Sequence, residues 1–172
     1  MLSVCPDWCW QYCTEQDRLV LQMSSGQHIK TAFSAKELTI LPNQQSLCME
    51  QAQVFMDFAE ALEGLLPYCE LLNIAVHAVA ALYFVKTPNQ KSHLFKFSSI
   101  ECRTEVMGMA KLEGVNRAKV LLVAKSDPIV DCLLLEPVEL LNGKTMSAGQ
   151  LVRVQQNRLI PLQLSSLYAL TA

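Results

Sequence analysis

Charge is scarce in this sequence. Asp, Glu, Lys and Arg make up 17% of its 172 residues, and the two signs nearly cancel, leaving a net charge of −2. A chain so balanced has no global field to gather nucleic acid, and no lysine-rich tract suggests an anionic membrane surface. Long apolar runs are lacking as well. The most apolar stretch, "LLNIAVHAVAALYFV" (71–85), contains Asn73 and His77 and stops short of the ~20 residues that span a bilayer. "MLSVCPDWCW" at the start has no basic n-region and is interrupted by Pro6 and Asp7, so no secretory signal is expected. Catalytic signatures are missing too. No GxSxG, HExxH or GxGxxG occurs, and "GMAKLEGVNRAK" has glycines without the GK[ST] end of a phosphate loop. The residues therefore nominate no catalytic group and no cofactor motif, which leaves an enzyme open at this point.

What is present is apolar. Hydrophobic residues reach 51%, enough for a sizeable core in one ordinary domain or in two small ones sharing it. Seven cysteines, an odd number without paired spacing, fit a reducing cytoplasm better than a disulfide framework. Three of them sit in "CPDWCWQYC" (5–13), a spacing that suggests a metal cluster. On a strand, however, Cys5, Cys9 and Cys13 share one face and Trp8, Trp10 and Tyr12 the other, and the end thiols lie ~26 Å apart. No histidine is nearby and no second CxxC completes four ligands. They are expected to be free thiols packed as small hydrophobes, holding no metal. The histidines are isolated: His28 on a strand, His93 after a loop, and His77 within the apolar helix as a hydrogen-bonded core residue.

Periodicity divides the chain in two. "WCWQY" (8–12), "RLVLQM" (18–23) and "HIKTAF" (28–33) alternate around turns at 14–17 and 24–27, which predicts a β-meander. A polar connection broken by Pro42 and Asn43 follows. Residues 47–64 then take helical period with Ser46 as N-cap, and a second helix over about 68–84 is apolar nearly all round. After "KTPNQK" (86–91) strands return: "SHLFKFS" (92–98), "AKVLLVAK" (118–125), and segments 132–146 and 149–162, each folding back on itself. Asn142-Gly143 predicts a type I′ hairpin, and Pro137 an edge or junction. The expected class is α+β: an N-terminal α/β part over 1–97, then a twisted, β-barrel-like part over 98–172.

With these elements set out, the chain resembles the bacterial Z-ring-associated ZapC family. The first stretch carries Trp8, Trp10, Tyr12, Asp17, Arg18, Leu21, Gly26, Phe33, Lys36 and Leu38 in the family's order. "LLLEPVELLNGKTMSAGQLVRVQQNRLIP" is similar to its C-terminal run through Pro137, Gly143, Lys144, Met146, Gly149, the Val152-Arg153-Val154 strand, Arg158, Leu159 and Pro161. Cys9 and Cys13 fall outside that pattern. The resemblance implies a cytoplasmic, non-enzymatic protein at the division septum. It implies direct binding to FtsZ and bundling of FtsZ polymers, which promotes Z-ring assembly and stability. A monomer is expected, with no nucleic acid or membrane as partner.

FtsZ is acidic, so the candidate contact is a basic exposed feature beside an apolar surface. "VKTPNQKSH" (85–93) offers Lys86 and Lys91 around Pro88. The family's loop also has two lysines five apart, with its proline placed differently. The alternative is that both lysines are solvated loop charges, Lys86 also meeting a helix C-terminus. Trp10 reads as core, and Leu21 either joins it or lines a patch beside the loop. Arg18 is expected to anchor the meander through Asp17 or Glu15. A rival from another class is a small barrel module that binds nucleic acid or a small ligand, for which aromatics are few: Tyr168 alone follows Phe97.

Overall fold

A computed structural model of the chain describes residues 3–162. These form two compact units, dividing between Thr87 and Pro88. In the first, β1 (Cys9–Cys13), β2 (Arg18–Gln22) and β3 (His28–Lys30) form the expected antiparallel meander. Trp10 stands opposite Leu21, and Leu21 opposite Ile29, so one face of the sheet is an apolar row. Two helices cover that face: α1 (Met49–Leu62) and α2 (Tyr68–Tyr83). Trp8 meets the Phe55 ring edge-on at 5.6 Å, and Trp10 packs 5.2 Å from Phe84. Trp10 has no exposed surface, a burial contributing on the order of 3 kcal/mol. Its indole Nε1–H donates to Gln51 Oε1 at 3.1 Å, which spares the buried ring an unpaired donor.

Two details of this unit differ from the sequence expectation. The polar connection contributes a fourth strand, β4 (Gln45–Ser46), pairing with β1 to give the order β3-β2-β1-β4. Ser46 is therefore a strand residue and cannot cap α1. Cys48 takes the N-cap position, and its backbone N–H donates to the same Gln51 Oε1 at 3.4 Å. One glutamine thus ties the start of α1 to the core of the sheet. The helix ends before Gly64, whose φ of +80° suits a residue without Cβ. α2 is buried from Ala75 to Ala81, as its nearly continuous apolar sequence predicts.

The second unit is a sheet of five strands: β5 (Met109–Glu113), β6 (Arg117–Ser126), β7 (Ile129–Leu134), β10 (Leu151–Gln155) and β11 (Ile160–Pro161). A two-stranded ribbon, β8 (Val138–Glu139) with β9 (Thr145–Met146), branches off. The order β10-β7-β6-β5-β11 puts two consecutive strands at opposite edges. Four strand spacings are ~19 Å, yet a single 3-10 turn, Gln156–Arg158, and a few flanking residues join them, reaching roughly 13 Å. The sheet must therefore roll, helped by the register shift between Leu122 and Ala124 in β6. Its inner face carries Leu112, Val120, Leu122, Val130, Cys132 and Val154 as one core. Burial pushes the Cys132 thiol well above its ordinary range.

Several sequence expectations are corrected here. The sheet is rolled but not closed, so the second unit is not a barrel. Segment 149–162 does not fold onto itself; β10 pairs with β7 and β11 with β5. "SHLFKFS" is no strand: Ser92–Leu94 is a 3-10 turn, because the buried Ser92 hydroxyl accepts the Gln155 N–H at 2.8 Å and its carbonyl accepts Arg158 Nε–H at 3.0 Å. Asn142-Gly143 does turn a hairpin, but only Gly143 has positive φ, at +85°. The Gly143 N–H donates to Leu140 O and the Leu140 N–H to Lys144 O, a three-residue loop with glycine at the bulge. Residues 90–91 pair with Arg153, so the chain joins the second unit there and not at residue 98. Tyr168 lies outside the described residues.

Candidate functional site

Lys86 emerges from α2 into a clamp formed by residues 36–42. Thr39 N–H and its hydroxyl both donate to Phe84 O, at 2.7 and 3.1 Å, Leu38 bridges to Val85, and Lys86 N–H donates to Glu37 O at 2.8 Å. At its other end the clamp is held by Tyr12 N–H donating to Pro42 O at 2.8 Å. The Lys86 ammonium donates to the Lys36 carbonyl at 3.2 Å, so it is steered onto this edge and away from free solvent sampling. Lys36 is itself exposed, and neither lysine has an ion pair among the described residues. Ile40 and Leu41 continue the same segment, 51% and 53% exposed. Two lysines without an ion pair therefore meet at one short, backbone-clamped segment that carries two exposed aliphatic side chains.

Lys91 belongs to the second unit. It is half-buried, donates its N–H to Arg153 O at 2.8 Å and precedes the 3-10 turn at Ser92. The two candidate lysines are thus each fixed by their own unit. Leu21 is corrected from candidate contact to core: it is 1% exposed, between Trp10 and Ile29 on the helix-covered face, and presents nothing to a partner. The apolar neighbours of Lys86 are Ile40 and Leu41 instead. Sequence reasoning passed over both as part of a polar connection. The signal was there: an apolar pair directly before Pro42, with no alternation to bury either residue.

The remaining candidates have structural work. Asp17, at φ +50°, turns the β1–β2 hairpin; its carboxylate accepts the Tyr12 hydroxyl and, at 2.9 Å, the Ala35 N–H. The Tyr12 hydrogen bond first, and the Ala35 amide second, hold the Asp17 carboxyl below its usual range. Arg18 reaches the Asp17 backbone carbonyl at 2.7 Å and forms no ion pair with Asp17 or Glu15. His77 is a satisfied core residue: Nδ1–H donates to Asn73 O at 2.8 Å and Nε2 accepts the Ala32 N–H at 3.1 Å. Burial lowers its pKa, the Asn73 bond opposing. Cys9 and Cys13 lie along β1 on the face turned from the helices, and no three metal-ligating side chains converge among the described residues. On that face a shallow basin of about 480 Å³ is lined by residues including Gln11, Gln22, His28 and Lys30. In the second unit Phe97 is exposed, but one face of its ring is taken by the Arg158 guanidinium at 3.5 Å. No helix among the described residues is long and apolar enough to cross a membrane.

Comparison with known proteins converges on one family. The family model described as cell-division protein ZapC, N-terminal, matches residues 1–86. The cell division protein ZapC of Shewanella oneidensis is 30% identical over 165 residues, covering 91% of this chain and 92% of that protein. Those of Musicola paradisiaca and Ferrimonas balearica are each 28% identical, covering 94% and 92% of this chain and 91% of either relative. The match runs through both units and leaves no large part of either sequence over. The chain belongs to the ZapC family of cell-division proteins.

Proposed function

We propose that this protein binds FtsZ directly and promotes Z-ring assembly and stability by bundling FtsZ polymers, acting in the cytoplasm at the division septum as a monomeric, non-enzymatic partner. The observation that carries the reading is the clamped edge of the first unit, where Lys86 and Lys36 form no ion pair among the described residues and the same segment exposes Ile40 and Leu41. An acidic partner surface supplies ion-pair partners for these lysines, and the aliphatic pair supplies area to bury. Lys91, in the second unit, is the other lysine assigned to the partner. Leu21 contributes by holding the meander in shape, not by contact.

Co-sedimentation with purified FtsZ and GTP across a salt series tests this reading. Wild type pellets with polymers and pellets less as salt rises, since charge-assisted contacts are screened. Lys86→Glu with Lys91→Glu replaces attraction by repulsion and weakens binding by about tenfold or more. Circular dichroism confirms that the variant is folded. A folded double variant that pellets like wild type moves the site off these lysines, and a wild type that never pellets sinks the FtsZ reading.

A further inference from the structure

The α1–α2 hairpin carries charge of one sign only. Between Lys36 and Lys86 no lysine or arginine occurs, while Glu50, Asp57, Glu60, Glu63 and Glu70 lie on the helices and their connection. None of these has an ion pair among the described residues; Asp57 accepts one hydrogen bond, from Gln53 at 2.8 Å. Local structure explains Glu70, which sits in the first turn of α2 where the helix dipole favours an acid. It does not explain Glu60 and Glu63. They occupy the C-terminal turn and C-cap of α1, where the dipole disfavours carboxylates, and no basic residue accompanies them. The same tip exposes Leu65 and Tyr68 by 60% and 61%. It is also ordered: Glu63 and Leu65 N–H groups bond back to Glu60 and Leu62 carbonyls, and Pro67 O accepts the Leu71 N–H that starts α2. An ordered tip that exposes two apolar side chains and sets Glu60 and Glu63 against the helix dipole departs from local helix rules.

We propose that this tip is a docking surface for a basic, amphipathic protein segment. Leu65 and Tyr68 take its apolar side, and Glu60, Glu63 and Glu70 pair with lysines or arginines flanking that side. Charge decides the occupant: an acidic partner is repelled here, and so is an anionic lipid surface. The site is separate from the lysine edge, which lies beyond the other end of α2, a helix roughly 24 Å long. It meets a partner of opposite sign and does not rest on the FtsZ reading.

The probe is a fluorescein-labelled synthetic peptide of about five helical turns with leucine on one face and lysine on the other. It is titrated with the full chain and followed by anisotropy, with amide chemical shifts locating the contact. Binding is expected, with shifts centred on residues 60–70. A peptide of the same composition in scrambled order binds about tenfold more weakly, as it has no apolar face to offer. Leu65→Ser with Tyr68→Ser weakens the ordered peptide by about tenfold, and Glu60→Gln with Glu63→Gln by about fivefold, with a shallower salt dependence. The second pair removes charge only from exposed positions, so it remains informative if the first pair fails to fold. Equal binding of the two peptides, variants that bind like wild type, or shifts centred elsewhere would each overturn the proposal. So would self-association of wild type that Leu65→Ser with Tyr68→Ser abolishes, because the tip would then be an interface between copies.

Discussion

The two units handle charge in opposite ways. Every side-chain ion pair among the described residues lies in the second: Lys96 and Arg117 share Glu113, Lys125 reaches Glu105 and Asp127, Arg103 meets Glu101, and Arg153 holds Asp131 in a two-bond fork at 2.8 and 3.0 Å. In the first unit Lys36 and Lys86 meet at the clamped segment, while Glu50, Asp57, Glu60, Glu63 and Glu70 lie on the helix hairpin, and none of these forms an ion pair among the described residues. Opposite charges within a unit that could pair but do not are available to partners, whereas paired ones already have their neighbours. A rolled sheet brings cross-strand charges together, as Arg153 opposite Asp131 shows. A helix hairpin on a meander spreads its charges over separate faces. The second unit holds its charges in internal pairs, and the first forms no side-chain ion pair among the described residues.

Core substitutions should break the contrast hardest. Trp10→Ala removes a fully buried ring and leaves Gln51 without the indole donor, so it should cost about 3–5 kcal/mol in denaturant unfolding. In the second unit Gly114→Ala would place a methyl 2.1 Å from the Glu139 carbonyl oxygen, a backbone atom that cannot step aside. Asn116 pins the same junction, its Oδ1 accepting the Glu139 N–H at 2.7 Å. A loss of roughly 2–3 kcal/mol is expected, measured the same way. A Gly114→Ala protein as stable as wild type would mean that the β5–β6 turn docks less tightly than described.

A smaller effect depends on pH and belongs to the first unit. His77 is held neutral, with its pKa below the ordinary 6.5. Its contribution is therefore complete above about 6.5 and declines as pH falls through that value toward the lower folded pKa, because the unfolded chain takes up the proton first. Denaturant midpoints should drop across that interval, and His77→Gln should flatten that part of the slope. Smaller again, Arg153→Met should cost about 0.5–1 kcal/mol, since both partners of the fork retain contact with water. Smallest of all, charge reversal at Lys86 and Lys91 should leave stability within about 0.5 kcal/mol of wild type while weakening polymer binding. A large stability loss there would assign the lysines to the fold and not to a partner.

Much of the first unit was legible before any coordinates. Alternation in "WCWQY" and "RLVLQM" marks both strands and which side carries Trp10, because a strand's side-chain period is fixed at two. The apolar run 71–85 marks a buried helix, and it includes His77, whose satisfied state follows from burial itself. Two-residue strands such as β4 and β11 carry no period to detect. Ser92 is a similar case: its segment alternates like a strand, but the Gln155 N–H on its hydroxyl and the Arg158 Nε–H on its carbonyl come from more than sixty positions away.

The candidate sites divide along the same line. Residue types, their order and the one-signed stretch between Lys36 and Lys86 are properties of the chain alone, and so is the family resemblance. Which lysine is steered, which leucine is exposed and which charges are already paired were decided only in three dimensions. Leu21 and Leu41 are the same residue type twenty positions apart; the meander buries one under the helices, and the clamp at Phe84 leaves the other at the surface. Periodicity is a local property, set by the backbone geometry of each element. Exposure and charge pairing depend on which distant segment is folded against it.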